Sequence, residues 1–400
     1  MQTGSSSVYQ WAFMRVLIAF DKFKDSISAQ RACAIAADAV AREHPGWSAD
    51  LCPLTDGGEG FTEILTGAAG GKVAEVAATG PRGGTVRAPL GIVSADRIPS
   101  EARIRLGSAA ARSGGSVGVV EMASASGLAL LGAGQRDPLR ASSVGTGEML
   151  SAAAKAGVQA ILLGVGGSAT HDLGLGALGA LGLRFGGEGS TELASLVPAD
   201  WPSLRRITGS VERLPPVLLA CDVDNPLLGP RGALSVYGPQ KGLDPSLAEG
   251  LEKETARVAG MLLGYFGKPA SLLGHPGAGA AGGIAFGLMA GLGATLLPGF
   301  ELVASWIDLD RRLREADIVL TGEGRFDDSS LSGKGPGAVA RRALSLGLQV
   351  HVFAGAVAMR GKNPGILAHP VTPEGMALPE ALEKAPGLLF DAVRRALSAR

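Results

Sequence analysis

Short apolar runs that each end abruptly in a polar or glycine-rich cluster set the tightest limit on what this chain can fold into. Val16–Phe20 runs into Asp21-Lys22-Phe23-Lys24, and the run around Leu51–Leu54 runs into Thr55-Asp56-Gly57-Gly58-Glu59-Gly60. Val117–Val120 leads to Glu121, Ile161–Val165 to Gly166-Gly167-Ser168, and Val217–Ala220 to Cys221-Asp222. Ile318–Leu320 leads to Thr321-Gly322-Glu323-Gly324, and Val350–Ala354 to Gly355. Ala/Leu-rich helical patterns at 28–43, 147–157 and 334–346 alternate with these runs. Near-continuous apolar strands between helices mark parallel sheet covered on both faces, so the expected class is α/β. The stretch 72–107 differs: its alternation and turn residues predict a hairpin and entry into a second domain. Segments 186–216 and 243–275 are expected to be irregular surface insertions.

Glycine makes up 61 of the 400 residues, about twice the ordinary share of roughly 7%. It costs roughly 0.5–1 kcal/mol at each interior helix or strand position, so the excess calls for a purpose. Lys plus Arg and Asp plus Glu are 37 each, so the net charge is zero. That leaves no global basic footprint for nucleic acid or an anionic membrane. Cys33, Cys52 and Cys221 form no CxxC pair, which argues against a zinc ribbon or disulfide framework and for a reducing cytoplasm. Residues 1–13 lack a basic n-region and a long apolar h-region, and read as a loose extension rather than a signal peptide. The uncharged stretch 277–300 is long enough to span a bilayer. Its glycines, its Pro298 and its lack of basic flanks favour a buried helix followed by a strand, with the glycines letting that helix approach a neighbouring backbone.

In open α/β sheets, ligands bind at the carboxyl ends of the strands. Here those ends carry Asp21, Lys22, Lys24, Asp56, Glu59, Glu121, Asp222, Asp224, Glu323 and Arg325. A single Asp after a strand is often only a helix cap. Many carboxylates mixed with Lys and Arg suit Mg²⁺ and phosphoryl oxygens. Gly166-Gly167-Ser168-Ala169-Thr170 follows a strand and precedes a helix, as a phosphate-holding turn does; a tight strand–helix connection is the alternative. Lys334, at a glycine-rich helix start, suits a phosphate contact or a solvated surface. Lys241 in Gly238-Pro239-Gln240-Lys241-Gly242 is a similar case with a weaker claim. His171 reads more simply as a solvent-facing loop histidine than as a site residue. There is no P-loop and no protein-kinase signature. The GxGxxG matches at 174–179 and 277–282 do not directly follow a strand.

Eight collinear stretches carry a resemblance. They are Val16–Ala29, Pro53–Gly60, Glu121–Leu128, Asp137–Glu148, Gly164–Gly176, Ala220–Gly242, Gly277–Leu302 and Thr321–Lys334. Together they resemble the bacterial glycerate kinase family of the glyoxylate pathway, over residues 14 to 360. The sequence departs from the family pattern at two places. Lys22 and Asp25 stand where DSFKGS has Ser and Gly, and His171-Asp172-Leu173-Gly174 stands where the family has Asn-Asp-Gly-Gly.

The resemblance implies ATP- and Mg²⁺-dependent phosphorylation of D-glycerate, usually at the 2-hydroxyl to give 2-phosphoglycerate, with 3-phosphoglycerate left open as the alternative product. It implies two α/β domains with the active site in the cleft between them. One would be flavodoxin-like, a Rossmann-like three-layer domain from 14–72 plus 290–400; the other would be inserted at 73–289. On this reading Lys24 and Arg325 bind the glycerate carboxylate, and Ser26 also contacts the substrate. Asp56 is the first candidate to accept the hydroxyl proton, and Asp222 the second. Asp222 and Glu323 hold Mg²⁺, and Gly166, Gly167, Ser168 and Lys334 cradle the ATP phosphates. The partners are these small molecules, without nucleic acid or membrane, in a cytoplasmic monomer or homodimer. Two other classes stay open: an NAD(P)-dependent dehydrogenase of a small hydroxy acid, and a non-catalytic small-molecule binding regulator.

Overall fold

The computed structural model describes residues 13–109, 114–193, 196–331, 333, 335–359 and 364–398. The 1–13 extension, all but its last residue, and Lys334 therefore lie outside the described residues. The strands in chain order are β1 (Arg15–Phe20), β2 (Ser48–Leu51), β3 (Lys72–Thr79), β4 (Thr85–Ser94) and β5 (Ser116–Glu121). They continue with β6 (Ala160–Gly164), β7 (Leu183–Gly186), β8 (Glu192–Leu193), β9 (Arg206–Gly209) and β10 (Val217–Cys221), then β11 (Thr295–Pro298), β12 (Ile318–Asp327), β13 (Gln349–Ala358) and β14 (Ile366–Pro370). The chain divides into two compact units, one comprising residues up to Thr55 and from Val303 onward, the other Asp56–Leu302.

The first unit holds a five-stranded sheet in the order β2-β1-β12-β13-β14, with every pairing parallel. Counted within its own sheet this is 2-1-3-4-5, a doubly wound order whose switch point lies between β1 and β12. Val16, Ile18 and Phe20 share a core with Ala32, Cys33 and Ala36 of helix Ala29–Glu43 and with Leu389 and Val393 of helix Leu378–Ser398. Ser28 starts the first of these helices: its backbone is extended and its hydroxyl accepts from Arg31 N, a standard N-cap. The apolar run predicted at 51–54 shifts to Ser48–Leu51 as a strand. Cys52 N and Leu54 N still donate to Ile18 O and Phe20 O, so pairing to β1 persists along one side.

The second unit holds a six-stranded sheet in the order β11-β10-β6-β5-β4-β3. β5, β6, β10 and β11 run parallel; β3 and β4 form the hairpin expected in 72–107 and pair antiparallel. Segment 186–216 supplies β8 and β9, which pair with β7 in a small antiparallel sheet, β8-β7-β9, and Trp201 there is fully buried. Segment 243–275 contains the helix Ala248–Phe266, with Leu251, Thr255, Val258, Ala259 and Leu262 buried. Both segments thus correct the expectation of irregular surface insertions. Gly250, Gly260 and Gly264 blur the helical pattern in the sequence, yet a Cβ at any of them would meet nothing. Residues 277–300 become the buried helix Ala280–Leu292 followed by β11. Gly287 sits against the carbonyl of Leu173 with no room for a side chain. Among the described residues no helix is long and apolar enough to cross a membrane.

Candidate functional site

In the second unit, the glycine turn after β6 interlocks with the glycine loop that leads into helix Phe61–Ala68. Gly57 and Gly60 have φ of 96° and 86°, which favours glycine. Gly166 N donates to Gly57 O at 3.0 Å. A Cβ on Gly166 would lie 2.7 Å from Gly58 N, and one on Gly164 would lie 2.5 Å from Gly57 O. On its other side the turn is held by the 126–128 segment, since Leu128 N donates to Gly167 O and Ala169 N to Ser126 O. Much of the glycine excess here serves backbone-on-backbone packing. Gly167 remains exposed at the surface of the turn.

The carboxylates of this unit divide by task. Asp56 is exposed, and its Oδ1 accepts from Gly58 N at 3.2 Å. Asp222 is half-buried at the end of β10, and its Oδ2 accepts from Phe300 N at 2.8 Å, at the start of helix Gly299–Trp306. Gly57 packs against Ala220 O, which brings Asp56 and Asp222 to flank the same end of the sheet. Asp224 pairs with Arg231 in solvent. Glu121 is buried and accepts from Thr62 N at 3.0 Å, capping helix Phe61–Ala68. Burial pushes its carboxyl up to about 7, against the pull of backbone donors.

Behind the glycine turn lies a buried polar group that sequence reasoning ranked low. Lys241 is 3% exposed, and its Nζ donates to Ser168 Oγ at 2.8 Å and to Thr170 O at 2.7 Å. His171 is 2% exposed, which corrects the solvent-facing reading. The Thr255 hydroxyl donates to Leu251 O, so His171 Nε2 is the donor in its 3.0 Å bond to Thr255 Oγ1. Burial, aided by the Lys241 charge, pushes this imidazole down to about 3, so it is neutral. Asp172 accepts from Ser143 N, Ser143 Oγ, Gly174 N and Gly176 N, binding residue 143 to the start of helix Leu175–Ala180. Gly174 begins this helix ten residues after β6 ends, which weakens the dinucleotide reading of 174–179.

In the first unit, the switch point between β1 and β12 gathers the remaining candidates. Asp21 N donates to Gly322 O at 3.0 Å, tying the two strand ends together. Lys24 is exposed, and Ser26 turns its hydroxyl back onto Phe23 O at 3.0 Å. Glu323 is half-buried; Arg325 is exposed, with Nε 3.2 Å from Asp327 Oδ2. A Cβ on Gly324 would lie 3.4 Å from Lys24 N, so the loop after β1 runs beside the end of β12. Gly335 begins helix Gly335–Ser345 beside the Asp21 carboxylate.

The family model described as the glycerate kinase family matches residues 16–399. The chain belongs to the glycerate kinase family. It is 36% identical over 390 residues to a protein named glycerate kinase from Halalkalibacterium halodurans, covering 95% of this chain and 96% of that one. It is 36% identical over 339 residues to glycerate 2-kinase from Escherichia coli, covering 82% of each chain. A crystal structure of a protein assigned as glycerate kinase 2 from Salmonella typhimurium is similar at a TM-score of 0.70 and 34% identity, covering 96% of each chain. Two departures from the glycerate kinase pattern fall on unusual backbone. Asp25 and Leu173 stand where the family has glycine, and their φ values are 61° and 55°. Glycine there is explained by the left-handed backbone alone. Asp tolerates that region; Leu173 is held in it by complete burial against Gly283 and Gly287.

Proposed function

We propose that the protein transfers the terminal phosphoryl group of ATP to the 2-hydroxyl of D-glycerate, giving 2-phosphoglycerate and ADP. The observation that carries this reading is 36% identity, over most of the chain, to relatives named for glycerate phosphorylation. The name of the Escherichia coli relative, glycerate 2-kinase, favours the 2-hydroxyl over the 3-hydroxyl.

In this reading the acceptor oxygen bonds to phosphorus as the bond to the departing ADP oxygen breaks, and the hydroxyl proton passes to Asp56. The Gly58 N–H that holds Asp56 Oδ1 supports that role, because it fixes the carboxylate's direction. Lys24, Ser26 and Arg325 bind the carboxylate of glycerate, where a guanidinium gives two parallel bonds. Gly166, Gly167, Ser168 and Lys334 hold the phosphates. The donor set fits Mg²⁺ in one way only. Among the described residues no group of three ligating side chains is assembled, and Mg²⁺ is commonly held by one or two carboxylates plus substrate phosphates. Asp222 and Glu323 offer such oxygens; the ion, when bound, neutralises charge on the phosphates. No disulfide joins the three cysteines, and burial pushes the Cys33 and Cys52 thiols up to about 12. That chemistry suits a reducing cytoplasm.

The test is to incubate the protein with D-glycerate, Mg²⁺ and ATP and follow phosphorus by NMR. ADP and 2-phosphoglycerate are expected. No phosphoglycerate from the folded protein overturns the activity, and the 3-phosphate overturns the choice of hydroxyl. Asp56→Asn is expected to lower turnover by about 100-fold or more; near-normal turnover removes Asp56 from its role.

A further inference from the structure

Lys241 ends a single 3-10 turn, Pro239–Lys241, yet it is as buried as a core leucine. An isolated ammonium in such surroundings is expensive, and buried lysines are normally paired with a carboxylate. Among the described residues Lys241 makes no ion pair; its ammonium donates to two neutral oxygens, Ser168 Oγ and Thr170 O. These two acceptors straddle Ala169 and follow directly on Gly166-Gly167. The ammonium is therefore anchored to the inner side of the turn whose outer side is the exposed Gly167. Of the groups facing it, Asp172 is spent on four donors and His171 is neutral. Asp172 supports the charged form of Lys241, but burial wins and pushes the ammonium down to about 7.

We propose that Lys241 is a positioning residue for phosphoryl transfer. Its ammonium fixes the 166–170 turn through Ser168 and Thr170, and lends that turn a positive charge from within for the phosphates bound outside it. This rests on the reading that the turn holds the nucleotide. Lysine suits the task because it is a compact charge that reaches both acceptors from one atom. A buried cation behind a turn of backbone N–H groups acts in a low dielectric, where its field is less screened than at the surface.

The full-length wild type, Lys241→Arg, Lys241→Met and Ser168→Ala are compared by thermal melting, by Mg-ADP titration calorimetry, and by kinetics from pH 6 to 9. In the wild type, kcat/KM for Mg-ATP should fall as pH rises through the region where Lys241 loses its proton. Lys241→Arg keeps its charge, so that fall should move beyond pH 9. Lys241→Met should lower kcat/KM for Mg-ATP at least 10-fold at pH 6.5, while KM for glycerate changes less than twofold. Ser168→Ala should weaken Mg-ADP binding severalfold without abolishing the pH dependence. A folded Lys241→Arg that retains the wild-type limb overturns the proposal, as does Lys241→Met with Mg-ATP kinetics within twofold of wild type. If Lys241→Met does not fold, the arginine variant alone decides. Wild-type protein that binds no Mg-ADP overturns the nucleotide reading itself, a separate and distinguishable result.

Discussion

Asp222 Oδ2 accepts the backbone N–H of Phe300 at 2.8 Å, so the carboxylate at the end of β10 also fastens the start of helix Gly299–Trp306. Its structural and chemical duties can be separated, because Asn caps a helix about as well as Asp. Asp222→Asn should melt within about a degree of wild type, whereas Asp222→Ala should lose about 1 kcal/mol of stability. Both should lower ADP production by about 100-fold or more, as expected when a charge that aids phosphoryl transfer is removed. An Asp222→Asn protein with normal turnover confines Asp222 to capping.

Gly166→Ala places a methyl group 2.7 Å from Gly58 N and 2.8 Å from Gly58 Cα. Backbone has no rotamer with which to retreat. Stability in urea should fall by about 1–3 kcal/mol, as for overpacked cores. Turnover should drop further than stability does, since both loops must shift.

Glu121 gives a pH signature. Its folded carboxyl is pushed up to about 7 from an ordinary value near 4.5, so the fold favours the protonated form. Its stabilising contribution is full below about 4.5 and is lost as pH rises through about 7. Glu121→Gln keeps an acceptor for Thr62 N without the buried charge. The variant should melt higher than wild type at pH 8, by an amount worth about 1–3 kcal/mol, and show little gain at pH 5. An equal effect at both values refutes this assignment.

The two left-handed residues should answer differently to glycine. At the exposed Asp25, glycine should be neutral within about 0.5 kcal/mol and alanine should cost about 1 kcal/mol. At Leu173, glycine relieves roughly 1–2 kcal/mol of backbone strain but vacates a fully buried site that is worth about 3–5 kcal/mol. Burial wins, so Leu173→Gly should be the less stable protein in chemical denaturation.

The parallel sheets were legible because apolar runs ending in polar clusters have few other uses; only the second run was displaced, toward Ser48–Leu51. Helix Ala248–Phe266 was hidden by glycines on its open side. Strand-end carboxylates could be named from the sequence but not sorted. Whether Glu121 or Asp222 is a cap depends on Thr62 and Phe300, which arrive from distant segments. Lys241 looked the lesser of two lysines for the same reason, since burial belongs to the assembled fold.

The interlock of Gly57-Gly58 with Gly164-Gly166 leaves neither loop free to be redesigned alone. A side chain gained on one needs an accommodating shift of the other's main chain, which no single substitution supplies. This part of the molecule is thus closed to stepwise change. If Lys24 and Ser26 hold the substrate as proposed, altered preference among hydroxy acids has to be sought at loops with side chains to exchange, such as Asp21–Ser26.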